Sequence, residues 1–378
     1  MTSGDLHARA SQSARALAQE ARALPREYFV SGEIYAQEQN RLFSRRWLCA
    51  GHQSEIGKPG AFFVADIAGE SVIIVRDRRN VVRGFFNVCR HRGTRICETA
   101  GTGVCETFQC PYHAWTYGLD GRLIGAPHMD KVDGFDKAQH SLHEVKLTLW
   151  EGFVFVSLAA NPLAPETVFA PLAGKFRGWN LPNLRSAKRI EYDVRANWKL
   201  IFENYSECYH CPLVHPMLAK LTPYDSAEND LFEGPFLGGW MPITKGRSLT
   251  MSGNACARPV GDLNGDDLSR VFYYSIFPNM LLSMHPDYVM VHQIRPQAPD
   301  RVTILCDWLF HPDAFSQPDF RPEDAIEFWD MTNRQDWRVC ELSQQGIASR
   351  AYQPGPYSPR ESIPAAWDRE YLRALRQQ

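Results

Sequence analysis

The chain of 378 residues has no uninterrupted apolar run that approaches the roughly 20 residues needed to cross a membrane as a helix. It also has no excess of charge of one sign, since its net charge is −2. We therefore expect neither nucleic acid nor a membrane as a partner. No Gly-x-Gly-x-x-Gly motif follows a predicted strand, so any nicotinamide or flavin cofactor would have to be bound by another protein.

Cysteine is not scarce, but a disulfide framework is not expected. The chain has ten cysteines, and its first 24 residues contain no apolar core of the kind found in secretory signal peptides. In a long chain of this type, cysteines are more often reduced thiols or metal ligands than members of a disulfide scaffold. The sequence therefore predicts reduced cysteines and a cytoplasmic protein.

Length and local patterns predict two domains of different character. A chain of 378 residues exceeds the usual size of a single hydrophobic core. Residues 1–47 are predicted to form an N-terminal helical segment, residues 48–160 a domain of short strands, and residues 161–378 a domain of strands and helices. The predicted fold class is α+β, with an all-β domain followed by a sheet that has its helices grouped on one side.

Local sequence signals predict the main elements of the second domain. A helix is predicted over 198–209, and a long one from Pro322 to about Ala348. Strands rich in β-branched and aromatic residues are predicted over 272–283, 288–295 and 301–310. The stretch that begins at Pro354 is rich in proline, glycine and serine, and it is expected to lack regular structure.

The most informative stretch is Cys89-Arg-His91, which is followed after eighteen residues by Cys110-Pro-Tyr-His113. Each half supplies one thiolate and one imidazole from a short turn. A Rieske [2Fe–2S] centre uses this donor set, with two cysteines on one iron and two histidines on the other. A Cys2His2 zinc site is the alternative, but zinc fingers usually pair Cys with Cys and His with His. The mixed halves favour the iron–sulfur cluster.

A second metal site is predicted around His210 and His215. The two lie five residues apart, which is about 140° around an unbroken helix and would separate them. Pro212 is expected to end the helix and let the chain return His215 towards His210. Two histidines and one carboxylate form the facial triad of non-heme Fe(II) oxygenases.

Asp336 is the best candidate for the carboxylate. On the long helix, one stripe at three- and four-residue steps contains a single acid, and an inward-facing carboxylate needs a partner. A buried ion pair is the alternative. The stripe consists of Ile326, Trp329, Asn333, Asp336 and Cys340.

With both motifs identified, the sequence resembles the large (alpha) subunit of the Rieske non-heme iron oxygenases, from Phe43 to about Ser358. The runs NVCRHRGTRIC and FQCPYHAWTYGLDGRL and the helix segment 333–341 support the resemblance. It implies a Rieske domain and a helix-grip-like antiparallel-sheet domain with mononuclear iron. The implied ligands are Cys89, His91, Cys110 and His113 for the [2Fe–2S] cluster, and His210, His215 and Asp336 for the iron.

The spacer between the two cluster motifs is slightly longer than the commonest one in this family. We therefore expect residues 97–105 to form an enlarged surface loop. Cys97 and Cys105 lie in that loop, and the resemblance implies no disulfide between them.

Glu207 lies three residues before His210 and is predicted to share its helical face. In this family an acid at that position hydrogen-bonds a Rieske histidine of one subunit and an iron-ligating histidine of the next, and so bridges the two centres. Most aromatic-ring oxygenases have aspartate there. Glutamate within Glu-Cys-Tyr-His-Cys resembles the subgroup that oxidises choline, betaines and carnitine. An ordinary surface or helix-dipole glutamate is the alternative.

The resemblance also implies how such a protein works. A separate flavin and iron–sulfur reductase would pass electrons from NAD(P)H to the Rieske cluster. The electrons would cross a subunit boundary through His113 or His91, Glu207 and His210 to the iron that activates O2. Because they cross between chains, the resemblance implies a homotrimer.

Aromatic residues between the second motif and the long helix bear on the substrate. Their faces bind quaternary ammonium groups through cation–π attraction of about 0.5–2 kcal/mol, although most are expected to lie in the sheet core. With Glu207, they favour hydroxylation and oxidative N-demethylation of a small betaine-like substrate. An aromatic-ring-hydroxylating dioxygenase and a Rieske electron carrier without oxygenase activity are the alternatives. The aromatic candidates are Tyr209, Phe236, Trp240, Tyr273, Tyr274, Phe277 and Trp308.

Overall fold

The computed structural model describes residues 21–98 and 101–377. The chain divides into two compact units. One unit comprises residues 43–170, and the other joins the described residues up to Leu42 with those from Pro171 onward. Among the described residues, no helix combines the length and apolar character that crossing a lipid bilayer requires.

The described α-helices range from single turns to one of 26 residues. Ser31 caps the second helix by accepting a hydrogen bond from the Ile34 N–H, a role that serine favours. Pro322 opens the long helix, as predicted. In chain order the helices are α1 Glu27–Val30, α2 Gly32–Glu38, α3 Pro165–Val168, α4 Trp198–Tyr205, α5 Cys211–Val214, α6 Leu218–Leu221, α7 Pro322–Ile347 and α8 Ser362–Arg376.

The β-strands are short in residues 43–170 and longer in the other unit. In chain order they are β1 Leu48–His52, β2 Ala61–Ile67, β3 Glu70–Arg76, β4 Val82–Phe86, β5 Gly101–Val104, β6 Thr107–Gln109, β7 Thr116–Gly118, β8 Leu123–Gly125, β9 Lys146–Trp150, β10 Phe153–Ser157, β11 Arg185–Val194, β12 Glu228–Leu231, β13 Phe236–Pro242, β14 Arg270–Ile276, β15 Met280–Met284, β16 Val289–Ala298 and β17 Arg301–Phe310.

The unit of residues 43–170 is built from small antiparallel sheets, in agreement with the predicted all-β character. Their strand orders are β1-β10-β9, β4-β3-β2-β5 and β6-β7-β8. A hydrophobic core that includes Phe85, Phe108, Trp115 and Tyr117 lies beside the two predicted cluster motifs. The core cluster includes Cys89 and Cys110, so it packs directly against the turns that carry the candidate cluster ligands.

The expectation of an enlarged loop over 97–105 is wrong in part. Residues 101–104 form β5, which pairs with β2 and is an edge strand of the four-stranded sheet. Continued backbone pairing at a sheet edge satisfies N–H and C=O groups that a loop would leave to water. Cys97 and Cys105 flank this strand as free thiols, as expected, and pack against the core.

The second unit is organised by a seven-stranded antiparallel sheet with the order β11-β17-β16-β15-β14-β13-β12. The stretch 272–283, predicted as one strand, is two strands, because the chain turns at the cis Phe277–Pro278 peptide between β14 and β15. Helices α4, α7 and α8 pack together with this sheet. The α+β fold class is confirmed.

The prediction of no regular structure beyond Pro354 is wrong. Residues 362–376 form α8, whose buried side chains include Ile363, Trp367 and Tyr371 at helical spacing. The Trp367 ring stacks on Phe202 of α4 with the centroids 5.2 Å apart. The proline-rich segment is a connection, and the amphipathic stretch after it forms a helix because it covers α4.

Candidate metal centres

The two Rieske-type motifs form turns with the same hydrogen-bond pattern. The Cys89 N–H donates to the Thr94 carbonyl, and the Cys110 N–H donates to the Trp115 carbonyl, both over 2.8 Å. In each turn, the N–H of the residue four positions after the cysteine donates back to the cysteine carbonyl. The structure therefore presents the two halves of the motif as a matched pair of turns.

Burial separates the two kinds of donor. Cys89 and Cys110 are 3% and 2% exposed, whereas His91 is exposed and His113 is partly buried. The two imidazole rings lie 4.7 Å apart between centroids. Two buried thiols and two imidazoles nearer the surface are the donor set that would hold a Rieske [2Fe–2S] cluster.

Tyr117 is a hydrogen-bond partner that the sequence did not reveal. The Arg90 N–H donates to its hydroxyl oxygen over 2.9 Å, and the hydroxyl lies 3.3 Å from the Cys89 Sγ. Because the oxygen already accepts from Arg90, its hydrogen is available to the sulfur. Burial raises the pKa of Tyr117, so the hydroxyl remains a donor.

The second motif folds differently from its prediction. Helix α4 ends at Tyr205, and Ser206 caps it through hydrogen bonds to the Phe202 carbonyl. Glu207 and Tyr209 therefore lie in an irregular segment, and the prediction that Glu207 shares a helical face with His210 is wrong. The early helix end has a physical cause, since serine competes for backbone hydrogen bonds.

Pro212 also has another role than predicted. It lies in the first turn of α5, Cys211–Val214, so it starts a short helix instead of ending a long one. His210 precedes this helix and His215 follows it. One helical turn between them brings the two side chains together, with 3.2 Å between their Nε2 atoms.

The structure brings His210, His215 and Asp336 together as a group that could hold a metal ion. The Asp336 Oδ1 lies 2.8 Å from the His215 Nε2 and 3.3 Å from the His210 Nε2. Two ligands that are each about 2.1 Å from one ion at about 90° are about 3 Å apart. All three ligand atoms lie within 4.8 Å of one another. The spacing fits a facial triad.

Each imidazole of the triad is oriented by a hydrogen bond on its other nitrogen. The His210 Nδ1–H donates to the Glu207 Oε1 over 2.5 Å, and the His215 Nδ1–H donates to the Gln335 Oε1 over 2.7 Å. This leaves both Nε2 lone pairs directed at the metal position. Gln335 was missed by the sequence analysis, and its only signal was its position next to Asp336.

The electrostatics of the triad favour a bound cation. Burial acts to lower the pKa of His210, but the carboxylates of Asp336 and Glu207 outweigh it and raise that pKa to about 10. Burial acts to raise the pKa of Asp336, but His210 and His215 outweigh it and lower that pKa. Two carboxylates thus attract positive charge to one small volume.

A cavity opens beside the triad. Its empty volume is about 920 Å³, which includes space open to solvent. Helix α7, strand β13 and the segment 204–215 supply most of its walls. Its aromatic lining comprises Tyr205, Trp240, Tyr273, Trp329 and Trp337.

Only some of the aromatic candidates line this cavity. Trp240 and Tyr273 do, whereas Tyr209, Phe277 and Trp308 do not, and neither do Phe236 and Tyr274. Tyr209 is 56% exposed, and Trp308 is fully buried. Phe277 packs against Trp198 and Trp367. Tyr274 faces away from Tyr273 because successive strand residues point to opposite faces.

Several cavity residues were not proposed as pocket residues from the sequence, among them His292, Asn333 and Tyr205. The His292 Nε2–H donates to the Asn333 Oδ1 over 3.2 Å, and burial lowers the pKa of His292 to about 4. Tyr205 is the last residue of α4, where its hydroxyl lies 2.9 Å from the Ser283 Oγ. Strand periodicity alone could have placed His292 on one sheet face, but not beside the triad.

One expectation about cysteine is wrong. Cys208 and Cys211 form a disulfide within the second motif, and their Cα atoms lie 5.0 Å apart. The chain turns between them so that the two sulfurs meet, which the spacing alone did not require. The other eight cysteines form no disulfide, in agreement with the prediction of reduced thiols or metal ligands.

Comparisons with known proteins agree with both centres. The family model described as the Rieske [2Fe-2S] domain matches residues 46–136. The model described as the ring hydroxylating alpha subunit (catalytic domain) matches residues 181–377, more than half of the chain. The chain belongs to the Rieske oxygenase alpha subunits. It is an oxidoreductase with a [2Fe–2S] cluster and a mononuclear iron that uses O2.

Rieske oxygenase subunits with named activities are similar over most of this chain. The glycine betaine monooxygenase oxygenase subunit of Chromohalobacter salexigens is 33% identical, over 89% of this chain and 82% of its own length. The carnitine monooxygenase oxygenase subunit of Escherichia coli (strain K12) is 29% identical, over 88% of this chain and 86% of its own.

Solved structures of Rieske oxygenases have the same fold. A quaternary ammonium Rieske monooxygenase in complex with its substrate L-carnitine has a TM-score of 0.77 and 25% identity, covering 94% of this chain and 96% of that one. Naphthalene 1,2-dioxygenase from Rhodococcus sp. has a TM-score of 0.78 at 19% identity, over 99% of both chains, and supports the fold alone.

Proposed function

We propose that this Rieske oxygenase subunit hydroxylates an N-methyl group of a small quaternary ammonium compound. The added hydroxyl makes a carbinol, which loses its proton as the C–N bond breaks, giving formaldehyde and the demethylated amine. The observation that supports this most is the cavity beside the triad. Among the described residues, its lining includes five tyrosine and tryptophan rings and no lysine or arginine. Aromatic faces suit a quaternary ammonium group.

The proposal includes an assignment of ligands. Cys89, Cys110 and the two histidines of their turns hold the [2Fe–2S] cluster, and the triad of His210, His215 and Asp336 holds the mononuclear iron. The iron, when bound, supplies the O2 chemistry. The protein holds the ligand nitrogens in the required tautomer through Glu207 and Gln335, and it positions the N-methyl group.

Glu207 is proposed to link centres on neighbouring copies of the chain. One of its oxygens accepts from the His210 Nδ1–H, and the other accepts from backbone N–H groups of Tyr209 and His210. A carboxylate has further lone pairs that a histidine of an adjacent copy can use. A homotrimer, a separate NAD(P)H-dependent reductase and a cytoplasmic location belong to the same proposal.

A substrate panel tests the reaction. Oxygenase and a suitable reductase are incubated with glycine betaine, carnitine, choline and simple methylammonium ions, and O2 uptake and formaldehyde are measured. We expect formaldehyde in proportion to substrate for at least one of them. The matched control is the isosteric compound with carbon in place of the ammonium nitrogen, which lacks the charge that the aromatic rings attract and should not react. Dihydroxylation of an arene without methylammonium turnover contradicts the proposal.

Metal analysis separates the oxygenase from a Rieske electron carrier. A [2Fe–2S] cluster plus one mononuclear iron gives about three irons per chain, and a carrier about two. His210→Ala and Asp336→Ala should each lose one iron while the visible absorption of the cluster is unchanged. An unchanged iron content in both variants would remove the triad from the proposal.

A further inference from the structure

The disulfide between Cys208 and Cys211 encloses a residue that the proposed function assigns to the iron. Only two residues separate the cysteines, and one of them is His210. The remaining eight cysteines are not disulfide-bonded. A disulfide between residues so close in sequence does not connect distant parts of the fold. It restricts the conformation of the short segment that contains His210.

The two sulfurs differ in their accessibility. Cys211 is 3% exposed, whereas Cys208 is partly exposed and lies in the irregular segment between α4 and α5. Both residues line the cavity beside the triad. An incoming thiolate can therefore reach the Cys208 sulfur more readily than the Cys211 sulfur, and which sulfur is attacked governs the rate of exchange.

We propose that Cys208 and Cys211 form a thiol–disulfide exchange site whose state sets how firmly His210 is held at the metal position. This inference rests on the proposed assignment of His210 to the iron. A dithiol reductant attacks the Cys208 sulfur and forms a mixed disulfide, while the bond to Cys211 breaks and Cys211 takes up a proton. The second thiol of the reductant then displaces Cys208. The pair gains two electrons and two protons, and the reductant becomes a disulfide.

The three ligands do not depend equally on this bond. Asp336 projects from the long helix α7, and His215 is buried and held by Gln335 of the same helix. His210 lies in the loop that the disulfide closes, outside any helix or strand. Opening the bond returns conformational freedom to that loop alone. We expect the open form to lose the mononuclear metal about tenfold faster, in line with the entropy of closing a loop of a few residues.

Peptide mapping tests the exchange site. Cleavage after Lys199 and Lys220 gives a peptide of residues 200–220 that contains Cys208 and Cys211 and no other cysteine. The native holoenzyme is alkylated with iodoacetamide before and after treatment with dithiothreitol, without denaturant. We expect no label before treatment and label on both cysteines after it. The buried Cys306 and Cys340 should remain unlabelled, as controls for an intact fold.

Two outcomes of the mapping overturn the proposal. Alkylation of both cysteines in the untreated enzyme means that no disulfide is present. Resistance to dithiothreitol until the protein is denatured means that the bond is closed to exchange.

Metal release tests the coupling to His210. Loss of mononuclear iron to a chelator is timed for the oxidised enzyme, the dithiothreitol-treated enzyme and the Cys208→Ser/Cys211→Ser variant. The visible absorption of the cluster serves as the internal reference. We expect fast release from the last two and no further effect of dithiothreitol on the variant. Equal rates of iron release from all three samples would show that the disulfide does not affect how the metal is held. An unchanged iron content in His210→Ala would instead reject the assignment of His210 as a ligand.

Discussion

Single hydrogen bonds set the properties of both metal centres. At the mononuclear site, Glu207 and Gln335 each accept the Nδ1–H of one histidine and fix its tautomer. At the cluster, Tyr117 offers its hydroxyl to the Cys89 sulfur. These three side chains do not belong to the proposed ligand set, yet they determine the orientation and the electron density of the ligand atoms.

Tyr117→Phe should lower the reduction potential of the Rieske cluster. Hydrogen bonds to the sulfur atoms stabilise the reduced, more negative cluster, so removing one makes reduction harder. A hydrogen bond of about 1 kcal/mol corresponds to about 40 mV for a one-electron couple. The measurement is a redox titration of the visible absorption. Tyr112→Phe is the matched control, because Tyr112 is 57% exposed and also adjoins the cluster motif. Equal potentials for wild type and Tyr117→Phe would contradict this role.

Sequence spacing could predict the candidate ligands, because ligand chemistry is carried by residue types at short distances along the chain. The partners of those ligands could not be predicted in the same way. Tyr117 lies 28 residues from Cys89 along the chain, and Gln335 lies 120 residues from His215. Such pairs are created by the sheet and helix packing, which no local pattern specifies.

At the scale of elements, helix α8 packs against α4 and takes part in a buried polar network there. Tyr371 donates its O–H to the Glu38 Oε1 over 2.6 Å, and the same carboxylate forms a buried ion pair with Lys199 of α4. Asp368 of α8 accepts a hydrogen bond from the Tyr357 hydroxyl. Burial, together with the neighbouring Asp368, raises the pKa of Glu203 well above its usual range. Two carboxyl groups therefore share a buried position between α4 and α8.

Asp368→Asn should reduce the loss of stability that accompanies a rise in pH from about 4 to about 7. Burial raises the pKa of Asp368 to about 7, above its value of about 3.9 in an unfolded chain. Between these values the folded state binds the proton more tightly, so the free energy of unfolding falls as the pH rises and levels off above about 7. The free energy of unfolding of the variant minus that of wild type should therefore be larger at pH 8 than at pH 5, by at least about 1 kcal/mol.

Urea unfolding followed by circular dichroism at the two pH values measures this difference. Asparagine can still accept from Tyr357 and donate to Glu203, so the comparison isolates the charge. Glu323→Gln, at an exposed carboxyl in the first turn of α7, is the matched control and should follow wild type. Parallel pH curves for Asp368→Asn and wild type would show that the buried pair does not titrate in this range.

Element boundaries were predictable where one signal dominates. Pro322 marks the start of α7, and strand β17 was predicted with the bounds that the structure has. The predicted end of α4 was wrong, because Ser206 terminates a pattern that remains apolar and aromatic beyond it. Helix α8 was not predicted, because the irregular structure indicated by the prolines from Pro354 was wrongly extended to residues 362–376.

At the scale of the whole molecule, each unit of the chain contains one proposed centre. The Rieske motifs lie in residues 43–170, and the triad lies in the unit built on the seven-stranded sheet. The α+β class and the presence of both centres could be predicted from the sequence. The path that electrons take from the cluster to the iron could not be predicted from the residues alone. Electrons could stay within one chain or pass to another copy, and the sequence of one chain does not distinguish these paths.

Mixed assembly of two inactive variants distinguishes these routes. Cys110→Ala should lack the cluster but keep the triad, and His210→Ala should lack the mononuclear iron but keep the cluster. Each alone should be inactive. If electrons pass only between neighbouring copies in a closed ring, a productive contact needs a cluster-containing copy beside an iron-containing one. Random co-assembly in equal amounts then makes about a quarter of the contacts productive, since each contact in a cyclic ring is heterologous.

Co-expression with two different affinity tags, followed by tandem purification, isolates the mixed assemblies, and formaldehyde release per mononuclear iron measures their activity. The double variant Cys110→Ala/His210→Ala, co-assembled with wild type, is the reference: about a quarter of its contacts join two wild-type copies, so its activity per mononuclear iron should equal that of the first mixture if electrons pass between copies. If electrons instead stay within a chain, every copy in the first mixture lacks one of the two centres, and the mixture should be as inactive as its parents. Recovered activity therefore requires transfer between copies, and Glu207→Gln introduced into the Cys110→Ala copy should abolish it while leaving both metal contents unchanged.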